Sequence, residues 1–109
     1  MSKEVSEISS LKAEIKVYEE KVQKEQDVIA GATRWIDYYQ RQRTKARSNR
    51  RLDRRVSDKI IKRHTNRISY EKFRRDCAET DLEKHLKKIS ELKKRLSELE
   101  ASTTTKASS

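Results

Sequence analysis

Proline is absent from this chain of 109 residues, and glycine occurs once, at Gly31. Lacking the two residues that most readily turn a backbone, and rich instead in Glu, Lys, Arg, Leu and Ile, the sequence argues for long helices and against a compact globule. Apolar residues are scarce as well: 32% of the chain is hydrophobic and 42% is charged, so the helices can bury only a narrow seam. The expected class is all-α, with long helices carrying heptad seams, as a coiled coil or a helical hairpin assembling into an oligomeric bundle. A single cysteine, Cys77, cannot close an intrachain disulfide, so nothing points to a secreted, stapled fold. Long apolar runs are missing too, VIAGA at 28–32 being among the longest, and MSKEVSE at the start lacks a charged-then-apolar leader. The expectation is therefore no integral membrane association and an intracellular site: nucleus, nucleoid or the interior of an assembled particle.

The chemistry of catalysis is sparse. His64 and His85 are the two histidines, and no second Cys, His pair or carboxylate cluster stands at metal-ligand spacing. With no Gly-rich phosphate loop, nucleophile elbow or acid–base pair, the chain reads as a non-enzyme without metal or cofactor.

What is present is periodicity. Ile8, Leu11, Ile15, Tyr18, Val22, Glu25, Ile29, Ala32, Ile36 and Tyr39 alternate three and four apart, forming an a/d seam over an N-terminal arm of residues 1–40. Gly31 lies within it and is read as a weak point costing about 1 kcal/mol relative to Ala. A C-terminal arm, 76–100, repeats the design with Leu82, His85, Ile89, Leu92, Leu96 and Leu99. The apolar seam residues Ile8, Leu11, Ile15, Val22, Ile29, Ile36, Leu82, Ile89, Leu92, Leu96 and Leu99 are assigned to oligomerisation. Glu25 and Tyr18 are poor d residues, of the kind that set register or partner choice. Residues 101–109, ASTTTKASS, have no period and are expected to be disordered.

The two seams do not share a register. The a positions of the first arm fall at 8, 15, 22, 29 and 36, those of the second at 82, 89 and 96, an offset of four residues. That is a stutter if one helix is continuous and a turn if it is not. Ser48-Asn49 and Thr65-Asn66 are the candidate breaks, since both contain good helix N-caps. A helix could also begin afresh at Thr80, where Thr80 and Glu83 have the form of a capping box. Val28 and Trp35 widen the apolar stripe late in the first arm, which favours a hairpin or bundle over a two-stranded rod.

Between the arms lies a block of one sign. Residues 34–75 hold sixteen Lys or Arg against four acids, whereas 1–33 hold five against seven and 76–109 seven against seven. Such a block repels itself and calls for a partner that neutralises it. Treated as one helix, the basic segment 41–75 has an apolar edge of Leu52, Val56 and Ile60 opposite an arginine face. Arg outnumbers Lys twelve to four within 34–75, and planar guanidinium groups grip phosphates in pairs of hydrogen bonds and stack on bases. Arg41, Arg43, Arg47, Arg50, Arg51, Arg54, Arg55 and Lys62 are the predicted nucleic-acid contacts, to DNA or RNA. Trp35, Tyr38 and Tyr39 precede the block and have two readings, as a stacking platform for unpaired bases or as a cover over the seam.

Two local resemblances bear on this block. Ala46, Arg47, Arg50, Arg51, Asp53 and Arg54 form a stretch that resembles the arginine-rich RNA-binding helices of some phage antitermination and retroviral regulatory proteins. That likeness implies phosphate contacts for Arg47, Arg50, Arg51 and Arg54. Asn66, Ser69, Phe73 and Arg74 are spaced in a way similar to the basic region of leucine-zipper transcription factors. There the first zipper leucine lies ten residues past the Arg; here that position is Lys84, and Glu71 and Asp76 interrupt the basic surface.

The expected function is an oligomeric, sequence-tolerant nucleic-acid-binding protein. The alternative is a structural coiled-coil subunit of a capsid, filament or complex that docks its basic block on an acidic protein partner.

Overall fold

A computed structural model describes residues 3–108, with side chains through 103. It consists of two helices, α1 (Lys3–Ser48, 46 residues) and α2 (Arg54–Ser108, 55 residues), joined by residues 49–53. The chain is a helical hairpin, and no strand occurs among the described residues.

Of the two candidate breaks, the chain turns at the first. Asn49 does not cap the second helix, however. Its side-chain Oδ1 accepts a hydrogen bond from the Arg51 backbone N–H at 3.0 Å, and its carbonyl accepts from the Leu52 N–H at 3.3 Å. The cap is Asp53, whose Oδ1 accepts from the Arg55 N–H at 3.1 Å while its carbonyl takes the first helical bond from Ser57. Ser57 Oγ then donates to the Ala46 carbonyl at 3.0 Å, satisfying one of the acceptors left open at the end of α1. Thr65 and Thr80 instead turn their hydroxyls back onto Ile61 and Asp76 carbonyls, and the helix passes through both. Gly31 is likewise helical.

The register offset follows from the turn. The two arms lie on different helices, and on α2 the three-four alternation does not start at Leu82 but runs from the turn. Positions 57, 61, 64, 68, 71, 75, 78, 82, 85, 89, 92, 96 and 99 are all buried or half-buried. The seam of α1 behaves in the same way from Ile8 to Tyr39. These faces pack α1 against α2 within one chain.

The chain divides into two units. The terminal unit comprises Met1–Glu25 and Asp81–Ser109; the turn unit comprises Gln26–Thr80. In the terminal unit Leu11, Ile15 and Leu92 form a buried cluster on which Tyr18, Leu96 and Leu99 pack. Its polar seam members find each other: His85 Nδ1 and Glu25 Oε1 share a hydrogen bond, and the His85 ring lies 5.6 Å from that of Tyr18. Exposed pairs join the helices further along, Arg95 to Glu7 at 2.6 Å and Lys12 to Glu100 at 3.7 Å. The hydrogen bond from Arg95 to Glu7, and then the carboxylate's charge, raise the guanidinium above its ordinary range. α2 remains helical through Ser108, across a stretch whose lack of period pointed to disorder; Thr103 Oγ1 donates to the Leu99 carbonyl there, and position 109 lies outside the described residues. A helix already nucleated gains one backbone bond for each residue added, so it can outrun the apolar seam that started it.

The turn unit buries smaller side chains: Ala32, Ile36, Ala46, Ile68 and Ala78, with Glu71 among them. Leu52 sits in the turn, Val56 is exposed, and Ile60 is half-buried. The apolar edge expected from these three is therefore replaced by Ser57, Ile61, His64 and Ile68. The reason is the turn itself, which resets the helical phase at Asp53 and invalidates a wheel drawn through it.

No described helix is long and apolar enough to cross a membrane.

Candidate nucleic-acid interface

The eight predicted contacts all fall in the turn unit, but not along one helix. Arg41, Arg43 and Arg47 belong to the end of α1, Arg50 and Arg51 to the turn, and Arg54, Arg55 and Lys62 to the start of α2. The hairpin gathers around its turn what a continuous helix would have spread over many turns. Seven of the eight are exposed; Arg43 is half-buried and its Nη1 donates to Thr65 Oγ1 across the helix pair at 3.3 Å. Arg41 pairs with Asp37 one turn before it. Arg47, Arg50, Arg51, Arg54, Arg55 and Lys62 have no side-chain partner among the described residues.

Helix polarity makes the cluster uneven. Lys45 and Arg47 lie in the last turn of α1, where the negative end of the helix dipole favours cations. Arg54 and Arg55 lie in the first turn of α2, which contains no acid. Cations there oppose the positive end of the helix, at about 0.3–1 kcal/mol each for exposed groups. Asp53, at the cap, and Asp58, one turn into α2, supply the nearby negative charge. Two arginines at an unfavourable helix end, beside two more in the turn, are a poor arrangement for stability and a good one for an anion.

Charge separates the units. The turn unit carries sixteen Lys or Arg against seven Asp or Glu, a net of +9, and the terminal unit twelve against eleven, a net of +1. The ion pairs of Arg41 with Asp37, Arg74 with Glu71 and Arg75 with Glu79 each join neighbours on a single helix.

An aromatic group lies on the same unit. Trp35 stacks on Tyr39 with centroids 5.6 Å apart and planes at 21°, and Tyr38 meets both rings edge-on. From α2, Arg67 Nη1 donates to the Tyr39 hydroxyl at 3.4 Å with its guanidinium 5.8 Å from that ring, and His64 packs 5.7 Å from it. Tyr39 is thus a seam residue, while Trp35 and Tyr38 are about half exposed. The role of Arg67 was not legible in the sequence, because it depends on which residues of α2 lie opposite Tyr39. Arg34, Lys45 and Arg63 are further exposed cations of this unit outside the predicted set.

The oligomerisation residues occupy the interface between α1 and α2 of one chain, each buried or half-buried there. Outside it, Tyr70 and Phe73 are the most exposed large apolar side chains of the turn unit. Among the described residues no group of three or more His, Cys, Asp or Glu is placed to hold a metal.

No protein-family model matches this chain, and no curated protein or solved structure shows significant similarity to it.

Proposed function

We propose that the protein is a non-catalytic nucleic-acid-binding hairpin that grips phosphates through the arginines around its interhelix turn, acting inside a cell or an assembled particle. The observation that carries this reading is the gathering of Arg47, Arg50, Arg51, Arg54, Arg55 and Lys62 around one turn without side-chain partners, on a unit of net charge +9. Phosphates supply the missing counter-charge. Contacts of this kind carry no base information, so binding is sequence-tolerant. Self-association is not needed to bury the seam; a larger bundle would use other residues or exchange helices between copies.

The test is binding to labelled duplex DNA and to single-stranded RNA over a salt series. The expected result is a linear fall of log affinity with log salt, at a slope near −0.9 for each phosphate neutralised on duplex DNA. Failure to bind either ligand at low salt would remove nucleic acid as the partner and leave an acidic protein surface as the target of the basic block.

A further inference from the structure

We propose that the turn unit also carries a base-directed subsite, in which Trp35 and Tyr38 stack unpaired bases of single-stranded nucleic acid beside the arginines that hold its phosphates; this inference rests on the phosphate-binding reading above. Trp35 and Tyr38 keep 48% and 49% of their surface exposed. For side chains so large, on a helix whose seam is already covered, that exposure has no role in packing α1 against α2. The rings are nonetheless held in place. Trp35 lies flat on Tyr39, which is itself fixed by Arg67 and His64 from α2, so a base arriving on the indole meets a preorganised surface and costs little ordering.

Open space lies beside the indole. Gly31, Arg34, Trp35 and Tyr38 line a cavity of about 590 Å³, and Gly31 stands one turn before Trp35 on the same side of α1. Gly is the worst ordinary residue for a helix interior, at about 1 kcal/mol relative to Ala, and Gly31 has ordinary helical φ. Its backbone therefore does not require glycine, and only Arg74 Nη2, at 3.8 Å, lies near where a Cβ would stand. Gly31 instead forms part of the wall of the open space beside the indole.

Charge selects the occupant. Arg34, Tyr38, Arg41 and Lys45 follow at intervals of four, three and four residues, so one aromatic ring stands between exposed cations along one side of α1, Arg41 being paired with Asp37 there. Aromatic rings between cations are the pattern with which proteins hold single strands, since every base offers a π-face and every linkage a phosphate. A second copy meeting this face with its own turn unit, of net charge +9, would be repelled from it.

Trp35 is the sole tryptophan, so its fluorescence reports the site directly. The experiment compares a 15-residue oligothymidylate with an abasic strand of equal phosphate count and with duplex DNA, using the full chain. The expected result is quenching of Trp35 by the oligothymidylate alone, with affinity about tenfold above the abasic strand. Trp35→Ala and Tyr38→Ala, checked for helicity by circular dichroism, are expected to remove that tenfold difference and leave abasic binding unchanged. Equal affinity for the two strands without quenching overturns the subsite but leaves the phosphate-binding reading intact. No binding to any of the three overturns both. A Trp35 emission shift that tracks protein concentration, with dimers in sedimentation, assigns the face to a second copy and also overturns the subsite.

Discussion

The terminal unit and the turn unit are built on the same heptad spacing and the same two helices, yet they place different side chains in and around it. The terminal unit buries Leu11, Ile15, Leu92 and their neighbours and ties its helices with Arg95–Glu7, Lys12–Glu100 and the His85–Glu25 pair. The turn unit buries three alanines, two isoleucines and a glutamate, leaves large rings in the open, and sets cations where helix polarity opposes them. Apolar burial contributes roughly 25 cal/mol per Å² removed from water, so leucine in a seam stabilises far more than alanine. The terminal unit thus buries the larger apolar side chains, with Leu or Val where the turn unit has Ala. What the turn unit gives up in stability it holds as surface for a partner.

The comparison can be broken at several points. Leu92→Ala, in the terminal core, has the largest expected effect, a loss of about 2–4 kcal/mol in urea unfolding followed by helicity. Ile68→Ala, a truncation of equal size at the most buried isoleucine of the turn unit, is expected to cost less, about 2 kcal/mol. A loss for Leu92→Ala no greater than that would refute the division of labour. Next comes the polar layer. His85→Ala leaves Glu25 half-buried without its partner, at an expected cost of about 1–3 kcal/mol, whereas the double change of His85 and Glu25 to Leu recovers most of that loss, because apolar side chains can replace a desolvated pair. Failure of the double variant to recover would show that the pair itself, and not the relief of an orphaned charge, stabilises the fold.

Gly31→Ala sharpens the account in the other direction. The new methyl meets only the flexible end of Arg74, so stability is expected to rise by up to about 1 kcal/mol. The smallest effect is the most diagnostic. Arg54→Gln with Arg55→Gln removes two cations from the positive end of α2, and thermal stability is expected to increase slightly, by about 0.5–1 kcal/mol at low salt and less at high salt. A decrease would mean that these arginines support the fold.

Much of this fold was legible from spacing. Every seam position from Ile8 to Tyr39 and from Leu82 to Leu99 is buried or half-buried, because Leu, Ile and Val three and four apart leave a helix one way to face. The same seam between 57 and 78 was hidden, since Ser57, His64, Glu71 and Arg75 occupy it and none announces an apolar stripe. The turn was legible only as one of two sites: Asn49 and Thr65-Asn66 look alike as local signals, and the difference lies in Asp53, Ser57 and Ala46 closing a hydrogen-bonded connection that needs both helices. The basic block was plain in composition, while its geometry was not. A wheel drawn through Leu52 gave an arginine face that the turn replaces with a cluster, and the contact of Arg67 with Tyr39 follows from a cross-helix register no single segment encodes.

The claim that matters most is that the turn unit, and not the net charge of the whole chain, binds nucleic acid. Two variants with equal charge test it: Arg50, Arg51, Arg54 and Arg55 changed to Gln, and Lys84, Lys87, Lys93 and Lys94 of the terminal unit, all exposed, changed to Gln. The measurement is the slope of log affinity against log salt for duplex DNA with each variant beside the unaltered protein. The account predicts that the turn variant loses about 3–4 units of slope, near 0.9 for each contact removed, and that the lysine variant stays close to the original. Equal losses from the two variants would contradict it, and would make the protein a diffuse polycation with no defined interface.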